Sequence, residues 1–509
     1  VLEQHFKEHS VAQFFKKNKQ MLGFSGKVRS LTTIIHEYVT NSLDAAEEAG
    51  ILPDVVVELQ NVEADVIRVK VSDNGPGLPK HLIGKAFGQM LAGTKFHRYV
   101  QQRGQQGIGA AGCTMFSLLT TGRGVIVTSH YNNTFVKAEV SIDFKTNKPV
   151  VVVLDEGESN KHGITVEGVF GDVKYDKGKY GVFEYLKRSA LSNPHASFTL
   201  IEPDGNVVLF NRSTFSLPPK PKEVKPHPLG VSAHDLLEMA QAERSYHTVS
   251  SFLQARLARM SAQKVKELEQ LVSFSFKISP NALTWAECEE LVKAFKRVKW
   301  MAPALDSVQP IGRERIVSSF SSLLQPQFLH VVERGAKVFR GGIPFMVEVA
   351  IAYDVPSVKK GVIMRYANRV PLLFDAGGCA ITQVVKNTDW KRYGVKDFDN
   401  ESIVVLVNVS SVHVPYTGAG KQAIADEEEI VKELRNALNQ AGRALSRYIS
   451  GVIRAKEREN KVKAIKRYVG ELAHDLSQLS GESEELLKRY LLQLIEQKYL
   501  GGSDGKSVG

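Results

Sequence analysis

Glu37 and Asn41 lie four residues apart in Leu31–Glu47, a stretch whose apolar spacing predicts an amphipathic helix. Residues at i and i+4 share a helix face, so a carboxylate and an amide point into one space. The carboxylate there can orient and deprotonate a water. The amide oxygen can serve a magnesium ion, which takes one or two protein oxygens and keeps waters and phosphates as its other ligands. Further on, Asp73-Asn74-Gly75-Pro76-Gly77 follows the β-branched run Val66–Val71. Asp73 can accept a hydrogen bond from an adenine amino group, and Gly75 and Gly77 let the backbone come close to the base. Gly104-Gln105-Gln106-Gly107-Ile108-Gly109 then leads into the apolar run Ala110–Leu119. Glycines feeding a helix start present backbone N–H groups to phosphates, so this stretch reads as a lid. Each motif alone is most often a solvated face or a turn. Base, amide, acid and glycine loop in that order describe an ATP site.

Two other glycine patterns fail on their context. Gly107-Ile108-Gly109-Ala110-Ala111-Gly112 matches the dinucleotide fingerprint, but a polar segment with Arg98, Arg103 and four glutamines stands where a strand should precede it. Gly418-Ala419-Gly420-Lys421 resembles the end of a phosphate-binding Walker loop. Pro415 replaces its first glycine, however, and Gln422 replaces its hydroxyl residue.

These residues must be positioned by a chain of 509 residues, too long for one core and expected to form three or four domains. Its 43% hydrophobic and 24% charged content is that of a globular protein. No run is apolar enough to span a bilayer and no signal peptide precedes the first helix, so no membrane association is expected. A chain beginning at Val1 is expected to have lost a few leading residues. Cys113, Cys288 and Cys379 are odd in number and far apart, which fits neither a disulfide framework nor a zinc site and favours a reducing, intracellular setting. The net charge of +11 points to a polyanionic partner or to a merely basic surface, and charge alone leaves both open.

Up to about residue 220, helical and strand patterns alternate, an α/β layer. Ser10 caps a short predicted helix over Val11–Asn18. Strands are predicted at Val55–Leu59, Val66–Val71, Gly124–Ser129, Val150–Leu154, Ile164–Val169 and Ser197–Ile201. The proline-rich Leu217–Pro228 is a linker. Short helices follow at Ala233–Ala242, Val249–Ala255, Ala262–Leu271 and Trp285–Val298, a helical module inserted between two α/β regions. Strand patterns return at Val331–Phe339, Phe345–Tyr353, Gly361–Ala367 and Ile403–Val409. A long helix is predicted over Asp426–Lys456, a second over Ala464–Tyr499, and a disordered Gly/Ser-rich tail after it.

Glu37-x-x-x-Asn41-Ser42-Leu43-Asp44-Ala45, the Asp73–Gly77 turn, the glycine lid and His162-Gly163-Ile164-Thr165-Val166 resemble the four boxes of the GHKL ATPases. Gln102-Arg103-Gly104-Gln105-Gln106-Gly107, Ala367-Asn368-Arg369-Val370-Pro371-Leu372, Asp389-Trp390-Lys391-Arg392-Tyr393 and Val414-Pro415-Tyr416-Thr417-Gly418 through Lys421 narrow this. With Ser10–Asn18 and Gly23-Phe24 they resemble the B subunits of DNA topoisomerase VI over nearly the whole chain. That resemblance implies an α/β multidomain protein: a Bergerat-type α/β sandwich over 1–225, a helix–two-turn–helix module over 226–306, a transducer over 307–468, and a C-terminal helical segment over 469–509. It implies ATP and Mg²⁺ as cofactors, Glu37 as general base, Asn41 as magnesium ligand, and Asp73 reading adenine with Gly77 and Thr165. Thr94, Lys95 and the lid residues Gly104, Gln105, Gln106, Gly107, Ile108, Gly109, Ala110 and Ala111 would meet nucleotide, and Lys421 would reach the γ-phosphate.

It further implies dimerisation on ATP binding, double-stranded DNA as substrate and a cutting A subunit in a heterotetramer of two A and two B. The expected setting is intracellular, associated with an archaeal-type nucleoid. Arg256, Arg259, Lys264, Lys266, Lys293, Lys296, Arg297 and Lys299 are candidate phosphate contacts, and Trp390-Lys391-x-Tyr393 is another. Gln309-Pro310-Ile311-Gly312-Arg313-Glu314 departs from the family pattern by an arginine in place of an acid. A MutL- or chaperone-like clamp and a non-hydrolysing accessory subunit of a meiotic-type cleavage complex are the rival readings. A histidine kinase lacks a phosphoacceptor helix ahead of the ATP domain.

Overall fold

A computed structural model of the chain describes residues 23–90, 100–104, 109–143, 146–418 and 420–499. The chain divides into two compact units, 1–388 with 398–441, and 389–397 with 442–509. In the first, helix α1 spans Lys27–Ala49. Leu31, Ile34, Ile35, Tyr38, Val39, Leu43 and Ala46 recur every three or four positions and are buried, so packing of one apolar stripe holds the helix. Gly50, with a left-handed backbone (φ 76°), ends it by letting the Gly50 and Ile51 N–H groups reach the Glu47 and Ala46 carbonyls.

Eight strands form the sheet beside α1: β1 Asp54–Glu63, β2 Val66–Asp73, β3 Val125–Tyr131, β4 Thr134–Asp143, β5 Lys148–Glu158, β6 Gly163–Phe170, β7 Ser197–Ile201 and β8 Val207–Phe210. Their order is β5-β4-β3-β6-β2-β1-β7-β8, antiparallel throughout except for β1 with β7. Helices α2 (Lys80–Gly88), α3 (Gly109–Thr121) and α4 (Val182–Ser192) share one core with α1 and the inward strand residues. The β4 strand is not among those expected, although Val136, Ala138, Val140 and Ile142 alternate with Lys137, Glu139, Ser141 and Asp143 as the residues of a half-exposed strand do.

Helices α5 (Ala233–Ala242), α6 (Val249–Arg256), α7 (Ala262–Glu269) and α8 (Trp285–Arg297) build a core of their own around Leu236, Phe252, Leu268, Leu291 and Phe295. Ser232, Thr248, Ser261 and Thr284 cap them, each accepting a first-turn backbone N–H. Such caps stabilise a helix by about 1 kcal/mol each, which matters for helices of eight to thirteen residues.

A second sheet follows: β9 Phe328–Glu333, β10 Lys337–Phe339, β11 Ile343–Tyr353, β12 Val362–Ala367, β13 Val370–Pro371 and β14 Ile403–Ser411, ordered β10-β11-β14-β12-β13 with β9 also on β11. The single strand expected over Val331–Phe339 is two, because β9 and β10 run along the same edge of β11 and pair with its opposite ends, with the register slipping by one residue across 334–336. β14 is buried along its whole length, as a central strand covered on both faces must be. Helix α9 (Arg313–Leu323) packs on this sheet through Ile316 and Phe320, and α10 (Ala380–Lys386) supplies the crossover before β14.

The start of α9 holds the segment that departs from the pattern at Arg313. The Glu348 carboxylate in β11, fully buried, accepts the Ile311 and Gly312 N–H groups at 2.8 Å each and the Asn408 amide at 2.7 Å. The segment's role is to begin the helix, and Arg313 itself is exposed.

The second unit holds Asp389–Asp397 and the chain from Gly442 on. Helix α11 (Glu428–Ser480) is unbroken where two helices were expected, and it ends at Gly481 (φ 74°) before α12 (Glu484–Tyr499). Val462, Val469 and Ile495 pack these two helices together, and Lys466 pairs with Glu496 at 3.1 Å. Among the described residues no helix is long and apolar enough to cross a membrane, and all three cysteines are free and buried.

Glu348→Ala would leave three donors without their acceptor. We expect it to lose on the order of 3 kcal/mol of stability, measured as a lowered urea midpoint, with Arg313→Glu unchanged in the same assay.

Candidate active site

Glu37 and Asn41 project from the same face of α1, Glu37 half-buried and Asn41 exposed. The start of α3 closes on Glu37 so tightly that a Cβ on Gly109 would overlap the Glu37 Oε2 atom. Only glycine leaves room there for the carboxylate beside the first N–H groups of a helix. Ala110 and Ala111 are buried in that first turn, and a Cβ on Gly104 would lie 3.8 Å from the Asn41 Oδ1 atom. His36 Nε2 stands 4.0 Å from Glu37 Oε1, with its ring edge-on to Tyr185. Burial, reinforced by the positive charge of Lys421, pushes the His36 imidazole below its ordinary value against the pull of Glu37. The charge of Lys421 is therefore felt at the helix that carries the candidate base. Lys421 holds a left-handed backbone (φ 50°) in a loop closed by the Tyr416–Ile424 bridge.

Asp73 ends β2. Its Oδ2 accepts from the Ser42 hydroxyl at 2.8 Å, and its Oδ1 accepts the Gly75 and Ile164 N–H groups at 2.9 and 3.2 Å. Thr165 sits across from Ser72 in the neighbouring strand and donates to the Ser72 hydroxyl at 2.9 Å, so it lies one residue from Asp73 rather than on its carboxylate. Ser42, beside Asn41 on α1, is the partner that sequence reasoning left without a role. Gly77 needs to be glycine twice over: its φ is 76°, and a Cβ would overlap the His130 carbonyl. Ser129 pins the same turn by bonding both the N–H and the carbonyl of Leu78, at 2.7 and 2.9 Å. Thr94, Lys95, Gln105, Gln106, Gly107 and Ile108, like Ser10–Asn18, lie outside the described residues.

Residues 26–165 match the family model of histidine kinase-, DNA gyrase B- and HSP90-like ATPases, and residues 303–461 match the topoisomerase VI B subunit transducer. The chain is 44% identical to the B subunit of type 2 DNA topoisomerase 6 from Pyrococcus abyssi, over 98% of this chain and 96% of that one. It is 42% identical to the corresponding protein of Methanothermobacter thermautotrophicus, over 98% and 97%. Among solved structures, the ATPase region of Saccharomyces cerevisiae topoisomerase II aligns at 12% identity and a TM-score of 0.43, over 88% of this chain and 99% of that one.

The chain belongs to the DNA topoisomerase VI B subunit family.

It is an ATPase subunit of the type IIB topoisomerase class, with a nucleotide-binding GHKL domain and a transducer, and the clamp, accessory-subunit and kinase readings are set aside. Within this family member the motif Gln102-Arg103-Gly104 has a use that its sequence did not signal. Arg103, 6% exposed, donates to Asp44 at 2.7 Å, to Glu47 at 2.6 Å and to Asn193 at 2.6 Å. Glu47 also accepts from Arg369 at 2.9 Å and lies 2.8 Å from His195 Nε2. Burial alone would raise the Glu47 carboxyl, but the Arg103 and Arg369 guanidiniums overcome it and hold the group well below the usual carboxylate range. Burial pushes the His195 imidazole below its ordinary value against the pull of Glu47.

The candidate DNA contacts divide. Arg256 is bonded to Glu243 at 2.7 Å, which, with burial opposing, brings that carboxyl down to about 2. Arg259 donates to the Ala302 carbonyl, Lys264 pairs with Glu267, and Lys293 pairs with Glu289. Lys266, Lys296, Arg297 and Lys299 are exposed. Trp390 and Tyr393 are buried edge-to-face, with Tyr393 against Gly442, so the aromatic pair is a packing element. Only Lys391 and Arg392 of that motif face solvent.

Gly109→Ala should keep the fold, since alanine favours a helix, yet displace the Glu37 carboxylate. We expect kcat for ATP hydrolysis to fall about 100-fold or more, read in a coupled phosphate-release assay. A carboxyl depressed on folding stabilises fully above its unfolded value of about 4.3 and loses that contribution as pH falls through its folded value. Glu47→Gln should therefore melt well below the parent chain at pH 7, by on the order of 3 kcal/mol. The gap should close as pH is lowered into the strongly acid range, measured by calorimetry across pH.

Proposed function

We propose that Glu37 is the general base of ATP hydrolysis. It would take a proton from a water whose oxygen attacks the γ-phosphorus, while ADP leaves with the bridging oxygen. The observation that carries this reading is the Glu37 carboxylate lodged against Gly109 at the first turn of α3. A base and a helix N-terminus that favours phosphate then face the same space. Asp73, fixed by Ser42, Gly75 and Ile164, would accept from the adenine amino group, with Gly77 and Thr165 beneath the base. Gly104, Gln105, Gln106, Gly107, Ile108, Gly109, Ala110 and Ala111, with Thr94 and Lys95, would contact the phosphates.

Asn41 fits a magnesium ion as a single neutral oxygen donor exposed beside the base, the sparse protein ligation this ion accepts alongside phosphates and waters. Bound there, the ion would neutralise phosphate charge. Lys421 would meet the γ-phosphate from the transducer side, and its charge at His36 supports that approach. A flexible cation in that position reports whether the phosphate is present.

On this reading two copies dimerise on binding ATP and trap double-stranded DNA. Lys266, Lys296, Arg297 and Lys299 offer phosphate contacts that do not depend on base sequence. Cleavage belongs to a partner A subunit, two of each kind forming the assembly, and passage of one duplex through another relaxes and decatenates DNA. An intracellular, nucleoid-associated setting follows from that substrate.

The test mixes the chain with its A subunit, supercoiled plasmid, Mg²⁺ and either ATP or a non-hydrolysable analogue. ATP-dependent relaxation, with analogue-induced breaks joined covalently to the A subunit, is expected. Hydrolysis with neither relaxation nor breaks would refute the strand-passage reading. Glu37→Ala should abolish turnover and retain nucleotide binding; loss of binding in that variant would contradict the role of Glu37.

A further inference from the structure

Helix α1 is gripped at the end away from the site. Beyond Glu37 and Asn41, its Glu47 is held by Arg103 on one side and by two nitrogens of Arg369 on the other, at 2.9 and 3.4 Å. Arg369 comes from the second sheet. Ala367 pairs with Val370, so Asn368 and Arg369 form a two-residue hairpin turn between β12 and β13, with φ of 48° and 68°. Such turns favour asparagine followed by glycine, and an arginine at the second place carries backbone strain.

The surroundings over-determine that strained turn. The Asn368 amide donates to the Gln102 carbonyl at 3.0 Å and to the Ser411 carbonyl at 2.9 Å. The Arg369 carbonyl accepts from the Ser192 hydroxyl at 2.6 Å. One residue before Gln102, the Gln101 side chain exchanges two hydrogen bonds with the Gln309 backbone, at 2.8 and 2.6 Å. Three consecutive residues leading to Gly104 are thus tied elsewhere, Gln101 and Gln102 to the transducer side and Arg103 to α1.

We propose that the Asn368–Arg369 hairpin tip is a positioning element for the hydrolytic site, linking it to the second sheet at a point separate from Lys421. Arg369 acts through Glu47 on α1, the helix that carries Glu37, Asn41 and Ser42, while Asn368 acts on the strip that leads to Gly104. A shift of the second sheet against the ATP site must therefore move α1 or break this joint. The inference rests on the reading of Glu37 and Asn41 as the ATP site.

The buried native cysteines leave introduced surface thiols free to be labelled selectively. Spin labels at Glu63→Cys and Lys359→Cys, both exposed positions, would report the distance between the ATP domain and the second sheet, with and without the non-hydrolysable analogue. Arg369→Gly suits the turn and leaves Glu47 its Arg103 partner. We expect it to bind the analogue within about three-fold of the parent chain, to lose about ten-fold or more in kcat, and to lose most of the analogue-induced distance change. Arg369→Lys, which keeps the charge without the two-pronged geometry, should recover part of both, and it carries the test if the glycine variant melts early. A parent-like kcat and distance change in Arg369→Gly would overturn the proposal and leave a structural ion pair. Absence of analogue binding by the parent chain itself would instead refute the ATP-site reading, and this inference with it.

Discussion

The Glu47 carboxylate, set between the guanidiniums of Arg103 and Arg369, is the constraint on which the ATP domain depends. Taking charged groups out of water costs several kcal/mol per ion, and each of these is nearly enclosed. The loss is offset only when the partners act together, with Asp44 and Asn193 accepting from Arg103 and His195 meeting Glu47, while Arg103 Nε, Arg369 Nε and His195 Nδ1 find no partner among the described residues. A half-formed cluster would be worse than an apolar one. The end of α1, the strip before Gly104, the loop after α4 and the β12–β13 turn must therefore come together in one geometry.

That geometry fixes where chemistry can happen. The helix anchored by Glu47 is also the one that presents Glu37, Asn41 and Ser42, so one rigid element carries the proposed base, the amide and the hydroxyl that bonds Asp73. The sheet contributes the other half. β2, β6 and β3 lie side by side, which aligns Ser72, Thr165 and Thr128 across three strands and leaves Asp73 at the edge of the row. Gly77 and Gly109 appear where a side chain would strike the His130 carbonyl or the Glu37 carboxylate. The empty volume at these two positions is part of the site.

Away from the ATP site, apolar packing and local charge pairing restrict what the surface can offer. The helical module builds its own core, and internal acids engage part of its basic residues, which leaves Lys296, Arg297 and Lys299 clustered at the end of α8. In the second unit Trp390 packs edge-on to Tyr393, which fills space against Gly442, so the cations between them are what faces solvent.

Much of this was legible in the sequence, because local patterns report local physics. The 3.6-residue period of α1 located Glu37 and Asn41 on one face, the helix starts at Ala233 and Trp285 fell where they were expected, and Ser197–Ile201 matched its strand residue for residue. The boxes of the ATP domain and the transducer motifs pointed to the family that the full-length comparisons then showed. Contacts between distant segments carry no such period. Nothing in the spacing of Glu47, Arg103 and Arg369 says that they meet, and their burial would argue against it until all the partners are counted. The same holds for Ser42 on Asp73, for Glu348 beneath the Gly312 turn and for the burial of Trp390 and Tyr393. The sequence by itself determined many of the elements, though not β4, β8 or the break between β9 and β10, and it determined which residues could do chemistry. Only the tertiary structure decided which charges neutralise one another, because desolvation depends on everything packed around a group and not on its neighbours in the chain.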